Sequence, residues 1–327
     1  MTSPSTARTR RRIYVTGGNG FLGSSVVAGL AAQLGVDGIE TVVSGDLRNP
    51  RQPIDGVRYE RADVTQANQL LEQFQRHKIN TVVHLAAVVN PGKDLSPEDE
   101  YRVDVEGTRN VLDACLATGV RRIVVSSSGA AYGYHRDNPE WIVETDPIRG
   151  NDSFSYSRHK RMVELMLEEA RVWHPELEQV VFRIGTILGE TVGNQITALF
   201  EKKHLLRVAG SESPFVFIWD QDVVACMVRA ATDGPVGTFN VAGDGALTVR
   251  ELAQVMGKRT LTVPSWLLKA ALWAGNVVGA TPHGPERTKF LQYRPVLLNT
   301  RLKEEFGYTP RYTSREAFQA WFASRAR

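Results

Sequence analysis

Two hydrophobic periods alternate along the first half of the chain. Arg12 to Thr16 is a short apolar run of strand length, and Phe21 to Leu34 repeats its apolar positions at helical spacing. Thr41 to Ser44 and Val57 to Arg61 read as the second and third strands, Gln66 to His77 as a helix, and Thr81 to Leu85 as the fourth strand. A long helix is predicted from Pro97 to Thr118, a strand over Ile123 to Ser127, a helix over Phe154 to Trp173 and a strand over Val180 to Ile184. Strands alternating with helices imply a parallel sheet covered on both faces, and right-handed crossovers make it doubly wound. After Gly185 the pattern loosens. Val249 to Met256 and Arg315 to Ser324 keep helical spacing, and Phe239 to Val241 reads as a late strand rejoining the sheet. The expected architecture is α/β, with a disordered basic tail over 1–11, a doubly wound domain over 12–185, and a smaller, mixed C-terminal lobe over 186–327 with parts returning to the first domain.

Composition narrows the classes. Hydrophobic residues make up 42% and charged residues 23% of the 327, an ordinary globular balance. The formal net charge of +3 is too small to argue for nucleic acid. Arg8, Arg10, Arg11 and Arg12 form a basic run among Ser, Thr and Pro, which reads as a disordered tail. A targeting signal is the alternative, but the apolar run after it, Ile13 to Thr16, is only strand-length. Cys115 and Cys226 fall in apolar helical stretches and read as buried, reduced thiols of a cytoplasmic protein. The seven histidines form no spaced cluster, so no metal is expected. Val263 to Gly279 carries Trp266, Leu267, Leu268, Leu272 and Trp273, with Lys269 among them. It is too short to span a bilayer and reads as a packed helix, surface association with a membrane being the alternative.

The first strand runs into Thr16-Gly17-Gly18-Asn19-Gly20-Phe21-Leu22-Gly23, with Gly17, Gly20 and Gly23 spaced as G-x-x-G-x-x-G. A strand that enters a helix through such a loop sets backbone N–H groups and a positive helix end against a pyrophosphate, the Rossmann arrangement. Gly17 permits the tight turn, Gly20 the approach of phosphate to backbone, and Gly23 the close packing of helix on strand. The second strand ends in Ser44-Gly45-Asp46-Leu47-Arg48. Asp46 can accept from the adenosine ribose hydroxyls and repels a 2′-phosphate, favouring NAD, while Arg48 keeps NADP open.

Tyr156 and Lys160 stand four apart on one face of a helix. A nearby ammonium stabilises a phenolate, so Tyr156 can exchange a proton near neutral pH. The strand before that helix ends in Ser126-Ser127-Ser128-Gly129-Ala130-Ala131-Tyr132-Gly133. Ser128 at its C-terminal edge points into the crevice where ligands bind. The alternatives are a solvated helix face and a Ser-rich loop.

In this order the motifs resemble the extended short-chain dehydrogenase/reductase family of the NAD-dependent epimerase/dehydratase type. Ala62-Asp63-Val64, His84-Leu85-Ala86-Ala87, Phe182-Arg183-Ile184-Gly185-Thr186, Asp222-Val223-Val224 and Phe239-Asn240-Val241-Ala242-Gly243 continue the match, over about residues 12–255. The resemblance implies that Gly17, Gly20, Phe21 and Leu22 cradle a pyrophosphate, that Asp46 holds ribose, and that Asp63 and Val64 lie beside adenine. It implies that Leu85, Ala86 and Ala87 line the cofactor channel, that Ser128 and Tyr156 address the reacting oxygen, and that Lys160 binds the nicotinamide ribose. It also implies a homodimer built from the helices at Pro97–Thr118 and Phe154–Trp173, with Val103, Val111, Leu112, Met162, Leu165, Met166 and Glu169 shared between core and interface.

The chain departs from the pattern at three places. Asp104 stands where the family has asparagine, Ile184 where proline is common, and Glu212-Ser213-Pro214-Phe215-Val216-Phe217-Ile218-Trp219 is aromatic where sugar-nucleotide members carry an arginine. Phe215, Phe217 and Trp219 therefore either shape a pocket for an apolar or compact substrate or pack the core. The leading expectation is an NAD(P)-dependent oxidoreductase acting at a secondary alcohol or ketone of a small molecule. A nucleotide-sugar epimerase or dehydratase, and a non-catalytic NAD(P)-binding regulator, are the alternatives.

Overall fold

In this computed structural model, residues 10–36, 38–89, 95–277 and 287–325 are described. The first half runs β1 (Arg11–Thr16), α1 (Phe21–Ala31), β2 (Ile39–Asp46), β3 (Val57–Arg61), α2 (Ala67–Arg76), β4 (Thr81–His84), α3 (Pro97–Tyr101), α4 (Gly107–Thr118), β5 (Arg122–Ser128), α5 (Ser155–Trp173) and β6 (Glu178–Ile184). The second half adds β7 (Thr186–Leu188), α6 (Gln195–Phe200), β8 (His204–Val208), β9 (Phe217–Trp219), α7 (Asp220–Thr232), β10 (Gly237–Val241) and α8 (Val249–Val255). It closes with β11 (Arg259–Val263), α9 (Ser265–Val277), α10 (Arg287–Gln292), α11 (Thr300–Glu304) and α12 (Ser314–Ser324).

Seven strands form one parallel sheet in the order β10-β6-β5-β4-β1-β2-β3. The sequence read as Rossmann-like does fold as a doubly wound sheet. Its order reverses between β1 and β4, and ligands of such sheets bind at that point, beyond the C-terminal strand ends. Both faces are covered, which is why the strands are continuously apolar: Ile13 and Val15 point to one face, Tyr14 to the other. On one face Val26 and Leu30 of α1 pack with Val223 and Met227 of α7 and Phe306. On the other, Leu70 and Phe74 of α2 pack with Val111 and Leu112 of α4 and Val163 and Leu167 of α5.

The chain after Gly185 contributes to both regions. β10 pairs with β6, Phe239 opposite Phe182, and α7 packs against α1. The remainder builds a separate aromatic core around Phe200, Phe215, Phe217, Phe318 and Trp321. Cys115 and Cys226 are free and buried, and burial pushes both thiols up.

Two elements differ from the sequence expectation. The predicted helix from Pro97 to Thr118 is helical throughout but widens into a π-helical turn at Arg102–Glu106. Such turns are frequent at functional sites, and this one carries the buried Asp104. The segment containing α9 was expected to pack, yet Trp266 is 70% and Trp273 62% exposed. No described helix is long and apolar enough to cross a membrane.

Candidate functional site

The glycine loop closes the end of β1. Gly17 has φ +65°, and a Cβ there would meet the backbone nitrogen of Ala86 at 2.8 Å. At Gly23 a Cβ would lie 2.0 Å from the carbonyl oxygen of Gly17, so α1 sits as close to the loop as a bare backbone allows. The loop therefore wedges between β1 and the Leu85-Ala86-Ala87 segment after β4. Leu85 and Ala86 each donate a backbone N–H to Thr16 Oγ1, at 3.3 and 3.4 Å. Gly20 precedes α1 as its N-cap and makes no side-chain cap bond, and a Cβ there would meet Arg48 Nη2 at 3.2 Å. Phe21 is half exposed there and Leu22 is partly buried against the core.

Asp46, at the end of β2, is 6% exposed. Its Oδ2 accepts from the backbone N–H of Asn19 at 3.1 Å, and its Oδ1 from the backbone N–H and Nε of Arg48 at 2.9 and 3.2 Å. Arg48 is thus folded back onto Asp46 in this structure, while Asn19 Nδ2 donates to its carbonyl at 2.6 Å. Asp63 caps the turn after β3, its Oδ1 accepting from the N–H and hydroxyl of Thr65 at 2.9 and 2.8 Å. Val64 is buried against Gly107, where a Cβ would meet its Cγ2 at 2.7 Å.

A buried chain of polar groups links this loop to α5. Thr108 donates its only hydroxyl proton to the Asp104 carbonyl at 2.6 Å. Thr108 Oγ1 therefore accepts from His84 Nε2 at 3.0 Å, which leaves His84 Nδ1 to accept from Thr16 Oγ1 at 2.7 Å. His84 is neutral in that arrangement, and burial, reinforced by the charge of Lys160, pulls its pKa down to about 3. The carboxylate of Asp104 then joins two elements. Oδ1 accepts from the backbone N–H of Val88 at 2.7 Å, and Oδ2 lies 3.0 Å from His159 Nδ1 on α5. An asparagine at 104 could keep one of these bonds as it stands, and the pairing with His159 gives the departure to aspartate a structural use. Asp104 is legible in the sequence as a departure from the family pattern; His159 carries no such mark.

The N-terminal half of α5 is docked on the end of β5 by two bonds that bracket Ser128. Lys160 Nζ donates to the carbonyl of Ser126 at 2.9 Å, and Ser157 Oγ to the carbonyl of Ala130 at 2.7 Å. Lys160 also lies 5.8 Å from the centre of the Tyr156 ring. Ser128 caps the short 3-10 turn Gly129–Tyr132, its Oγ accepting from the Ala130 N–H at 3.1 Å. Among the described residues neither the Ser128 proton nor the Tyr156 hydroxyl has a protein acceptor. Beneath them Glu164 holds Ser127 and Arg183, the latter through Nε at 2.8 Å, and Arg183 reaches on to Tyr132 at 2.8 Å.

The three aromatic residues that the sequence leaves between pocket and core divide. Phe215 and Phe217 are 2% and 0% exposed, stack on each other at 5.6 Å and 5°, and pack against Phe200. Their role is packing, because the faces a substrate would need are taken. Trp219, 8% exposed, meets Tyr312 edge-on.

The structure brings an arginine to this stretch after all. Arg294 lies 3.7 Å over the Phe215 ring and 5.2 Å from Phe290, with Nη1 donating to the Ser213 carbonyl at 2.7 Å. Its enclosed Nε has no partner, and burial without a counter-charge pulls its pKa down. Phe290 contacts Tyr134 and Phe154, and Phe154 contacts Tyr156, so a line of rings joins Arg294 to the tyrosine.

Comparison with known proteins agrees with this geometry. Residues 13–242 match the NAD dependent epimerase/dehydratase family. An uncharacterised protein of Mycobacterium tuberculosis H37Rv is 25% identical over 323 residues, covering 96% of this chain and 84% of its own. The UDP-glucose 4-epimerase of Azospirillum brasilense is 31% identical over 203 residues, 61% of this chain and 56% of that one. Among solved structures, the Thermotoga maritima UDP-glucose 4-epimerase with UDP-glucose superposes with TM-score 0.73 at 20% identity, covering 96% and 98% of the two chains. The Bordetella bronchiseptica enzyme WbmG, in complex with NAD and UDP, also gives TM-score 0.73, at 19% identity over 97% and 96%. The glycine cradle and the family match over most of the chain establish that it belongs to the NAD dependent epimerase/dehydratase family of enzymes.

Proposed function

We propose that this enzyme transfers hydride between NAD and a secondary alcohol or ketone of a small-molecule substrate. The observation that carries the reading is the bracketing of Ser128 by Lys160 and Ser157, which fixes the Tyr156 face of α5 against the strand end beside the glycine loop. The residues present fit the cofactor: the loop at Gly17 and Gly23 leaves no room for a Cβ, and Gly20 leaves the start of α1 free of any side-chain cap. Gly17, Gly20, Phe21 and Leu22 hold the pyrophosphate, Asp46 the ribose, Asp63 and Val64 flank the adenine, and Leu85 to Ala87 line the channel. The bound nicotinamide supplies the hydride acceptor and donor. Tyr156 exchanges a proton with the substrate oxygen at its hydroxyl, Ser128 donates a hydrogen bond that orients the same oxygen, and Lys160 holds the nicotinamide ribose.

Arg294 favours a nucleoside-diphosphate sugar as the substrate. Arg294 is a cation with no carboxylate beside it, and phosphate oxygens suit its planar fork. The curated and solved relatives that are UDP-glucose 4-epimerases, and the UDP bound to WbmG, support the same class. Calorimetric titration of the NAD-loaded enzyme with UDP tests it. Wild type is expected to bind and Arg294→Leu to lose roughly tenfold or more in affinity, in keeping with a charge-assisted hydrogen bond. Equal affinity in both proteins, or no binding by wild type, rejects the nucleotide-sugar reading and leaves the alcohol or ketone reading standing.

A further inference from the structure

Proton exchange at Tyr156 requires its hydroxyl to face the cofactor channel, and the rotation of α5 about its own axis decides that direction. Bonds on two sides of the helix hold its start. On one side Ser155 Oγ donates to Glu100 Oε2 at 2.7 Å, and His159 Nδ1 lies 3.0 Å from Asp104 Oδ2. On the other, Ser157 and Lys160 reach the carbonyls of Ala130 and Ser126 at the end of β5. Successive residues of a helix are turned by about 100°, so Tyr156 projects between the two sides, one step after Ser155 and one before Ser157.

Ser157 and Lys160 refer α5 to the end of β5. Asp104 adds a second reference. Its Oδ1 accepts from the backbone N–H of Val88 at 2.7 Å, so one carboxylate ties α5 to the residue that follows Leu85-Ala86-Ala87. Both side chains are enclosed, His159 with 1% and Asp104 with 4% exposed. A carboxylate only accepts, so Nδ1 of His159 carries the proton of their bond. His159 Nε2 has no hydrogen-bond partner among the described residues, and the Tyr101 ring meets the imidazole at 74° with centroids 5.7 Å apart. The imidazole therefore holds α5 through Nδ1 alone. An apolar side chain would fill this site without stranding a buried nitrogen, so burial by itself does not call for histidine here.

We propose that Asp104 and His159 are positioning residues for the reaction at Tyr156, their bond setting the rotation of α5 against the cofactor channel. The role rests on the function proposed above. Neither side chain addresses the reacting atoms. Both act through the helix that carries Tyr156 and Lys160, and a misplacement of about 1 Å in a reacting group can cost on the order of 10²-fold in rate.

Substitutions at the pair separate positioning from stability, with Tyr156→Phe as the reference. Turnover is read by nicotinamide absorbance on the substrate that wild type accepts, NAD affinity by calorimetry, and stability by urea denaturation. His159→Leu strands the Asp104 carboxylate and is expected to lower stability and to cut kcat about tenfold or more. NAD affinity is expected to stay within about threefold of wild type, because the glycine loop holds the pyrophosphate. His159→Asn, whose amide can donate in place of Nδ1, is expected to restore most of the stability and of kcat. Asp104→Asn/His159→Leu removes the stranded charge, so stability is expected to recover in part while kcat stays low. Turnover that recovers along with stability in that double variant assigns the pair to folding alone and overturns the proposal. Wild-type turnover in His159→Leu overturns it as well. Wild-type turnover in Tyr156→Phe fails the Tyr156 reading itself, and the positioning role falls with it.

Discussion

At the scale of single residues, what was legible in the sequence is what local spacing encodes. Gly17 and Gly23 announce themselves because only glycine fits where backbone meets backbone, and Tyr156 and Lys160 because one helix carries both. His159 and Arg294 were not legible. Their partners lie 55 and 81 residues away, at Asp104 and Ser213, and no local pattern marks such pairs. The polar chain through His84 makes a prediction about pH. Its folded pKa is pulled far below the unfolded value, so between the two values the unfolded chain takes up a proton that the native one does not. The stability His84 contributes is complete above pH about 6.5 and is lost as pH falls toward about 3, with a slope of up to about 1.4 kcal/mol per pH unit. Urea denaturation between pH about 7 and 4 is expected to show a shallower slope in His84→Asn than in wild type; parallel slopes contradict the buried, neutral assignment.

At the scale of elements, the strand and helix order was legible because burial on both sheet faces imposes long apolar runs. The irregularities were not. The π-helical turn at Arg102–Glu106 inserts within an otherwise continuous helix and carries Asp104, which bonds to Val88 and His159. The stretch from Glu212 to Trp219 could be read as pocket or as core, because the partners that decide it, Phe200, Phe318 and Arg294, come from other elements. The docking of α5 on β5 and β6 rests on the buried pair Glu164 and Arg183, whose side chains are 4% and 9% exposed. Glu164→Ala leaves Arg183 without its counter-charge and is expected to cost about 3–5 kcal/mol in chemical denaturation. A loss under about 1 kcal/mol contradicts the assignment of a structural buried pair.

At the scale of the whole molecule, α4 and α5 lie side by side on one sheet face with part of α5 uncovered. Val111, Leu112 and Met166 are core residues, whereas Leu165 is 48% exposed and Val172 and Trp173 are 71% and 73% exposed farther along the helix. We propose that this strip closes a homodimer. Sedimentation at micromolar concentration is expected to give a dimer that Leu165→Glu converts to monomer; a monomeric wild type contradicts it.

The central claim is that hydride transfer with NAD runs through Tyr156, Ser128 and Lys160. The most direct test compares Tyr156→Phe with wild type, measuring NAD affinity by calorimetry and turnover by nicotinamide absorbance across secondary alcohols and UDP-sugars. The phenylalanine ring keeps its contact with Phe154 and removes only the hydroxyl. The account predicts unchanged NAD affinity and turnover lower by roughly 10²–10⁴-fold on whichever substrate wild type accepts. Near-wild-type turnover in Tyr156→Phe would contradict it.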